Sequence, residues 1–497
     1  MIQEPTVVQI TADAYSVAAF IGYLAVVVGV GAYATRFSST GVREFFVGGR
    51  QMHPFVVALS AVVSGRSAWL LLGVTGMAYA QGASAVWAVV GYIVAELFLF
   101  LFYARRLRRF AETYDCVTLP DFFATRFSDK NGLLRGTLAV VILIFMVSYV
   151  SSQFVGGGKA FAASFGLAPS TGIWITAAIV LVYTSMGGFL AVSLTDMLQA
   201  CFMILALVML PVIAITNAGG LTVLYDQLQA LDPTLMDPFA LSIGVGIGFV
   251  GIGLGSPGNP HIIVRYLSIR NPDGLRHAAL VGTAWNVIMS WGAVFIGLAG
   301  RAYFPETTML PAADTENLYP FLAQQQLHPI IFGVVVASIF AAIMSTADSQ
   351  LLVAASSVIR DVYERILRRE VTLSQRQLVS YSRAATVVLV GIALALGFAM
   401  EGLVFWLVLF AWAGLGAALG PTSILALYWK RTTRAGILAG LVTGTITTIV
   451  WETSPVLSPL LYELIPAFAL ALLATVVVSL MTTQPEGTDE MMKVMDG

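Results

Sequence analysis

The sequence predicts an all-α polytopic membrane protein of about thirteen transmembrane helices. Three observations carry this. Of 497 residues, 58% are hydrophobic and 11% charged, and the mean hydropathy of +0.85 lies far above soluble usage. The charges gather in short clusters between long uncharged runs of about twenty residues, enough to cross roughly 30 Å of hydrocarbon. No run shows the alternation of a membrane β-strand, so a barrel is not competitive.

In chain order the runs lie near 15–35, 53–80, 83–104, 134–164, 169–187, 190–216, 241–265, 277–300, 328–359, 381–400, 403–429, 433–452 and 458–481. The loops between them fix an orientation. One side receives Arg36, Arg43 and Arg50, then Arg105 to Arg109, Arg126, Lys130 and Arg135. The same side receives Arg265, Arg270, Arg276, the run Arg360 to Arg383, Lys430, Arg431, Arg434 and the tail residue Lys493. All 26 basic residues but Arg66, Lys159 and Arg301 fall there. Basic loops stay in the cytoplasm, which puts the N-terminus outside and the C-terminus inside a plasma (inner) membrane. The first residues carry no basic region or cleavage site, so the first run reads as a span and not a signal peptide. With only a short tail after the last run, no appended soluble domain is expected.

Composition also removes several function classes. A net charge of -1 offers no polyanion-binding surface, so nucleic acid is not expected as a partner. Cys116 and Cys201 have neither metal-ligand nor disulfide spacing and read as free thiols. His53, His261, His277 and His328 lie far apart near span ends, where they read as interface histidines, and no nucleophile and base stand together. An enzyme is therefore not expected, nor a cofactor.

Two spans are interrupted midway. The second breaks at Ser64-Gly65-Arg66-Ser67, and the seventh from Gly251 through Gly255-Ser256-Pro257-Gly258-Asn259-Pro260. Unwound backbone at membrane depth is tolerated where it lines a cavity. The breaks are five spans apart, and an odd number of spans makes the second copy enter the membrane from the other side. Residues 53–216 (spans 2 to 6) and 217–430 (spans 7 to 11) are thus expected to be inverted repeats. Residues 1–52 hold the first span and a cytoplasmic loop, 431–481 hold two peripheral spans, and 482–497 form a cytoplasmic tail. Paired broken helices point to alternating-access transport of a small molecule. A channel or a transporter-like receptor of the same fold is the competing class; a channel would need a continuous polar stripe.

Several stretches carry a family resemblance: Val47-Gly48-Gly49-Arg50, Ala58-Leu59-Ser60-Ala61, Ser67-Ala68-Trp69-Leu70-Leu71 and Thr118-Leu119-Pro120-Asp121. Further along come Gly187-Gly188-Phe189-Leu190-Ala191-Val192-Ser193 with Asp196 and Gln199, then Asn259-Pro260-His261, Met344-Ser345-Thr346 and Ala411-Trp412-Ala413-Gly414. From about residue 45 to 450 the chain resembles the solute:sodium symporter family, in particular its proline-permease branch. The resemblance implies a leucine-transporter-like, five-plus-five fold and sodium as coupling ion. It implies a sodium site between the break of span 2 and the middle of span 9, with carbonyls of Val63, Arg66 and Ala342 and hydroxyls of Ser345 and Thr346. Neutral oxygens suit a hard monovalent cation. The plainer alternative for the two hydroxyls is a bond back to a carbonyl one turn earlier.

The chain departs from that branch, which has an aspartate and a methionine where Gly65 and Arg66 stand. A cation near mid-bilayer costs about 2.5–3.5 kcal/mol on insertion scales, so Arg66 needs a partner or a wet cavity. It lies about 13 residues past the inner end of its span, roughly 20 Å of helical rise. Asp196 on span 6 and Asp348 on span 9 are the expected partners. Asp196 also matches a family position that serves a second sodium site or coupling. Two readings of Arg66 follow. Its guanidinium could replace the bound ion, giving sodium-independent, proton-coupled or exchange transport. Alternatively its carbonyl still binds sodium while the side chain pairs with an aspartate.

Family geometry places substrate beside both breaks. The candidates are Ser67, Trp69, Tyr149, Gln153, Ser256 and Asn259, with Trp406 or Trp412 as lids. Trp69 and Tyr149 could instead be packing aromatics, and Gln153 and Asn259 interhelical hydrogen bonders. The aromatic pair that the proline branch places on span 7 falls at Ile252 and Ser256. A small amino acid such as proline, or a small carboxylate, fits the orphan N–H donors of broken helices.

Overall fold

The computed structural model describes residues 13–34, 42–185, 188–368, 373–400 and 402–496. Arg36, Gly187 and Arg369 lie outside the described residues. The principal helices are α1 (Ala14–Ala34), α2 (Pro54–Ser64), α3 (Thr75–Gln81), α4 (Val86–Phe98), α5 (Ala104–Thr113), α6 (Leu119–Arg126), α7 (Leu133–Phe165), α8 (Pro169–Thr184) and α9 (Phe189–Asn217). Then follow α10 (Ile243–Gly251), α11 (Pro260–Ser268), α12 (Leu275–Tyr303), α13 (Pro329–Ser356), α14 (Gln375–Ala399), α15 (Val404–Tyr428), α16 (Arg434–Thr453), α17 (Leu464–Met481) and α18 (Thr488–Asp496). Among the described residues the only β-pairing is an isolated bridge between Met52 and Ile269. Ten helices are long and apolar enough to cross a membrane, and Pro54–Ser64, Pro169–Thr184 and Ile243–Gly258 are shorter apolar helices.

Local chemistry sets the helix ends. Proline opens α2, α8, α11 and α13, where its missing N–H costs nothing. Ser242 and Thr433 cap α10 and α16, and Ser374 with Gln377 forms a capping box on α14. The Thr118-Leu119-Pro120-Asp121 motif is a cap as well. Thr118 Oγ1 accepts from Asp121 N–H at 3.0 Å, and Asp121 Oδ2 accepts from Val117 N–H at 3.2 Å. The Gly48-Gly49-Arg50 motif is a left-handed turn, with φ of 59°, 63° and 57°. It aims Arg50 at the carbonyls of Ala111 and Cys116, both 2.8 Å away.

Exposed apolar side chains are arranged for lipid. Along α10 and the segment after it, Ile243, Val245, Ile247, Val250 and Leu254 are all exposed, while Gly248, Phe249 and Gly251 face inward. Inside, α15 packs on the broken segment Ile252–Gly258 and on α7, while α13 packs on α1, α7, α9 and α2. Helix α12 lies against α2, α3, α4 and α9. The two breaks are therefore flanked by four continuous helices: α7, α12, α13 and α15.

Candidate functional site

At the first break the chain turns at Gly65 and Arg66 and passes through Ser67, whose φ of 48° is rare for a residue with a Cβ. Local strain of about 1–3 kcal/mol of this kind collects at functional sites. The freed backbone is met from α7. Gln153 Oε1 accepts from Ala68 N–H at 2.9 Å, and Tyr149 OH donates to Ser67 Oγ at 3.4 Å. Gln153 thus acts as the interhelical hydrogen bonder of its plainer reading. At the second break Trp412 Nε1 donates to Ile252 O at 2.8 Å, Ser423 Oγ to Pro257 O at 3.1 Å, and Asn259 Nδ2 to Gly255 O at 2.8 Å. Gly258 allows the backbone of α15 to come close: a Cβ there would lie 2.3 Å from Leu415 O.

Between α2 and α13 runs a fully buried seam of neutral oxygens. Ser345 Oγ lies 3.2 Å from Ala342 O and 3.5 Å from Val63 O, and Thr346 Oγ1 donates to Ser64 O at 3.0 Å. Val63, Ala342, Ser345 and Thr346 are thus brought together. The back-bond one turn earlier is present for Ser345, in addition to the contact across helices. The fifth expected ligand, the Arg66 carbonyl, accepts from Leu70 N–H at 3.0 Å and makes no bond to the hydroxyls. Ser64, which sequence reasoning did not place here, contributes its carbonyl to the seam.

The expected partners of Arg66 are corrected. Its guanidinium turns away from Asp196 and Asp348 and into the space between α4 and α12. There it donates to Glu96 Oε2 at 3.4 Å and to Asn286 Oδ1, and Asn286 Nδ2 donates to the same carboxylate. The guanidinium carbon lies 3.5 Å from the centre of the Tyr92 ring, and Tyr92 OH donates to Gly65 O at 3.3 Å. All of these side chains are buried. Tyr92 also fills the space at Gly65, where a Cβ would stand 2.1 Å from its OH, and Arg66 packs across its face. Of the two readings, the side chain follows the second in form, paired with a carboxylate, but that carboxylate is Glu96. The signal was present, since Glu96 is an acidic residue inside the third apolar run.

Asp196 has a different cation. Arg265 Nη2 donates to Asp196 Oδ2 at 3.1 Å, and the same oxygen accepts from Ser60 Oγ at 2.6 Å and Ser64 Oγ at 3.3 Å. Arg265 also bonds Ser349 Oγ, which lies 2.9 Å from Asp348 Oδ1. Arg265, counted from the sequence as a loop cation, is 1% exposed. His261, read as an interface histidine, is fully buried, edge-on to Tyr149 with ring centres 5.8 Å apart. Both acidic residues therefore belong to one buried cluster, which reaches the oxygen seam through Ser64.

On the other flank Trp69 stacks on Phe405 at 5.8 Å and on Tyr92 at 6.2 Å, and Tyr92 stacks on Trp412 at 5.2 Å. Trp412 is buried in this stack, whereas Trp406 is 46% exposed. An ion-pair cluster stands at the start of α15: Lys159 Nζ meets Asp314 at 2.7 Å and Glu316 at 2.6 Å. Glu316 also accepts from the N–H groups of Val404 and Phe405, each at 2.8 Å. Burial pushes the Glu316 carboxyl up, against the pull of Lys159. Beside the two breaks, Trp69 Nε1, Ser256 Oγ and Asn259 Oδ1 are buried without a hydrogen-bond partner. Such groups cost about 1–3 kcal/mol each when left unpaired.

A sequence profile of the Sodium:solute symporter family matches residues 45–444. The osmoregulated proline transporter OpuE of Bacillus subtilis is 39% identical over 459 residues, covering 92% of each chain. The sodium/proline symporter of Staphylococcus aureus is 37% identical over 479 residues, 93% of this chain and 92% of that one. Among solved structures, a substrate-bound, outward-open Na+-coupled sialic acid symporter superimposes with a TM-score of 0.80 at 18% identity, over 95% of this chain and 99% of the other. That likeness establishes the fold, while the profile and the relatives establish descent. This chain belongs to the sodium:solute symporter family, whose members are multi-pass membrane carriers that couple a small solute to sodium and not enzymes.

Proposed function

We infer that the protein carries proline, or a closely similar small amino acid, together with sodium by alternating access between the two breaks. The observation that carries the ion side is the seam of neutral oxygens. Val63 O, Ala342 O, Ser345 Oγ and Thr346 Oγ1 meet without a full charge, as a monovalent cation that must later be released requires. Ser64 O joins this set, while the Arg66 carbonyl, engaged by Leu70 N–H, stays outside it. Asp196 and Asp348 take a coupling role beside it, with Arg265 neutralising part of their charge.

For the solute, the unpartnered groups are complementary to an amino acid. Trp69 Nε1 and Ser256 Oγ can donate to a carboxylate, and Asn259 Oδ1 can accept from the ammonium. Ser67, Tyr149 and Gln153 shape the unwound backbone beside it. That relatives are named as proline transporters supports proline as the solute. The same reading includes thirteen crossings of the plasma membrane, an outside N-terminus and the inverted repeats 53–216 and 217–430, supported by the one-sided distribution of basic residues.

The test is uptake of labelled proline into proteoliposomes with sodium and proton gradients imposed separately. Saturable accumulation driven by the sodium gradient is expected. Accumulation driven by protons alone, or an unsaturable leak, would refute the reading.

A further inference from the structure

On the basic face, the cytoplasmic side in the reading above, a seam runs down from the second break. Helix α11 leaves the break at Pro260 and lies along α2 and α5, whereas α6, α13 and α15 are gathered around α7. Where the two groups meet, Pro260, Ile263 and Leu267 of α11 line a cavity with Leu119 of α6, Ile142 of α7 and Leu352 of α13. Its volume is about 30 Å³, room for a water molecule and not for an amino acid. A solute leaving the break inward has to part the helices here.

Helix α18 crosses this seam. It packs on α5 and touches the end of α15. On the α5 side Arg106 pairs with Asp496, and Arg109 donates to Met495 O at 3.4 Å and to Asp496 O. On the other side Arg126 of α6 donates to Thr488 Oγ1 at 3.3 Å and reaches Met492 Sδ at 3.9 Å, and Lys430, just after α15, meets Asp489 at 3.6 Å. Met495 is fully buried. Arg106 spans the gap as well: its Nε donates to Leu427 O at 2.9 Å, and its guanidinium carbon stands 4.5 Å from the centre of the Tyr428 ring.

The contact is built to let go. Its ion pairs stand in solvent, with the side chains of Asp489 and Asp496 76% and 62% exposed, and such pairs contribute little. Arg126 is fully buried, yet among the described residues no carboxylate pairs with it, and burial draws its guanidinium down to about 10. A buried cation held by neutral atoms alone weighs against a permanent seal. We propose that α18 is a strap that keeps the inner exit closed by tying α5 to α6 and α15, and that it is released when the solute is discharged inward. The proposal rests on the transport reading above. Such a strap sets the balance between the two faces of the carrier.

The test uses a Cys201→Ser chain, in which the remaining Cys116 is buried. Arg106→Cys and Asp496→Cys are joined in it by a short bifunctional methanethiosulfonate. The linked protein is expected to lose sodium-driven proline uptake into proteoliposomes but to keep sodium-dependent proline binding, and reduction is expected to restore uptake. Release is read at Ser356, 5% exposed on the cavity wall. Ser356→Cys is expected to react with a polar maleimide roughly fivefold faster once residues 485–497 are removed, as loss of an ordinary coupling between two elements gives. Asp489→Asn/Asp496→Asn leaves Met495 in place and is expected to speed the reaction about twofold. Uptake at the unlinked rate after complete cross-linking, loss of binding together with uptake, or labelling unmoved in both release variants would overturn the proposal. Sodium-driven uptake that the link leaves untouched refutes the strap and spares the transport reading. Faster labelling on release in a protein that carries no proline refutes the transport reading and leaves the strap.

Discussion

Replacing Glu96 by glutamine removes the charge that Arg66 pairs with. The pair is buried on both sides, with side-chain exposures of 0% and 3%, so solvent cannot take over the role of the carboxylate. Breaking a buried ion pair by removing one partner costs about 3–5 kcal/mol, because the remaining charge stays uncompensated. Glutamine keeps the shape and one acceptor for Asn286, so no cavity cost adds and the lower end of that range applies. About 3 kcal/mol is roughly a hundredfold in an equilibrium constant, and as much in unfolding rate if the pair forms after the folding transition state. A membrane protein in detergent unfolds irreversibly, so the assay is the half-life of the native protein at one temperature, followed by tryptophan fluorescence. Glu96→Gln is expected to shorten it by a factor between roughly ten and a hundred. The Arg66→Met/Glu96→Leu variant removes both charges and is expected to recover most of the loss. A half-life within twofold of wild type for Glu96→Gln, or a double variant as labile as the single, would refute the argument.

Gly65→Ala places a methyl 2.1 Å from Tyr92 OH and is expected to lower the yield of folded protein; Tyr92→Phe removes the obstructing oxygen and should restore part of that yield. Ser345→Ala and Thr346→Ala each remove one oxygen from the seam and should raise the sodium concentration for half-maximal uptake about tenfold while leaving the melting temperature nearly unchanged; an unmoved sodium dependence would remove both residues from the ion site. Arg135 and Arg360 outweigh burial and hold the Asp121 carboxyl below its ordinary 3.8. Its contribution to stability is therefore full above that pH and is lost as pH falls through the lowered value, and Asp121→Asn should abolish this acid-dependent step in a stability profile. Burial pushes the Cys116 thiol up to about 12, so Cys116 should resist alkylation at pH 8 until the protein is unfolded, while exposed Cys201 reacts with a membrane-permeant reagent.

The broken helices illustrate what could be read locally. Gly65 and the run Gly251 to Pro260 cannot continue a helix without loss, and that propensity acts over a few residues whatever surrounds them. The hydroxyls of Ser345 and Thr346 were legible only through a family likeness, since helix hydroxyls usually bond their own carbonyls. Their meeting with Val63 and Ser64 depends on how α13 crosses α2. Charge counting treats a cation at a span end such as Arg265 as solvated, whereas this one folds back among Ser60, Asp196 and Ser349.

By itself the sequence determined the membrane class, the helical runs, the two interruptions and the family, because hydropathy and backbone propensity are sums over neighbours in the chain. Only the tertiary structure decided which charges meet. Arg66 meets Glu96 and not Asp196 or Asp348, with its guanidinium held across the Tyr92 ring between α4 and α12, while Arg265 takes Asp196. Pairing of buried charges is set by the side chains that share a cavity, and helices far apart in sequence supply those.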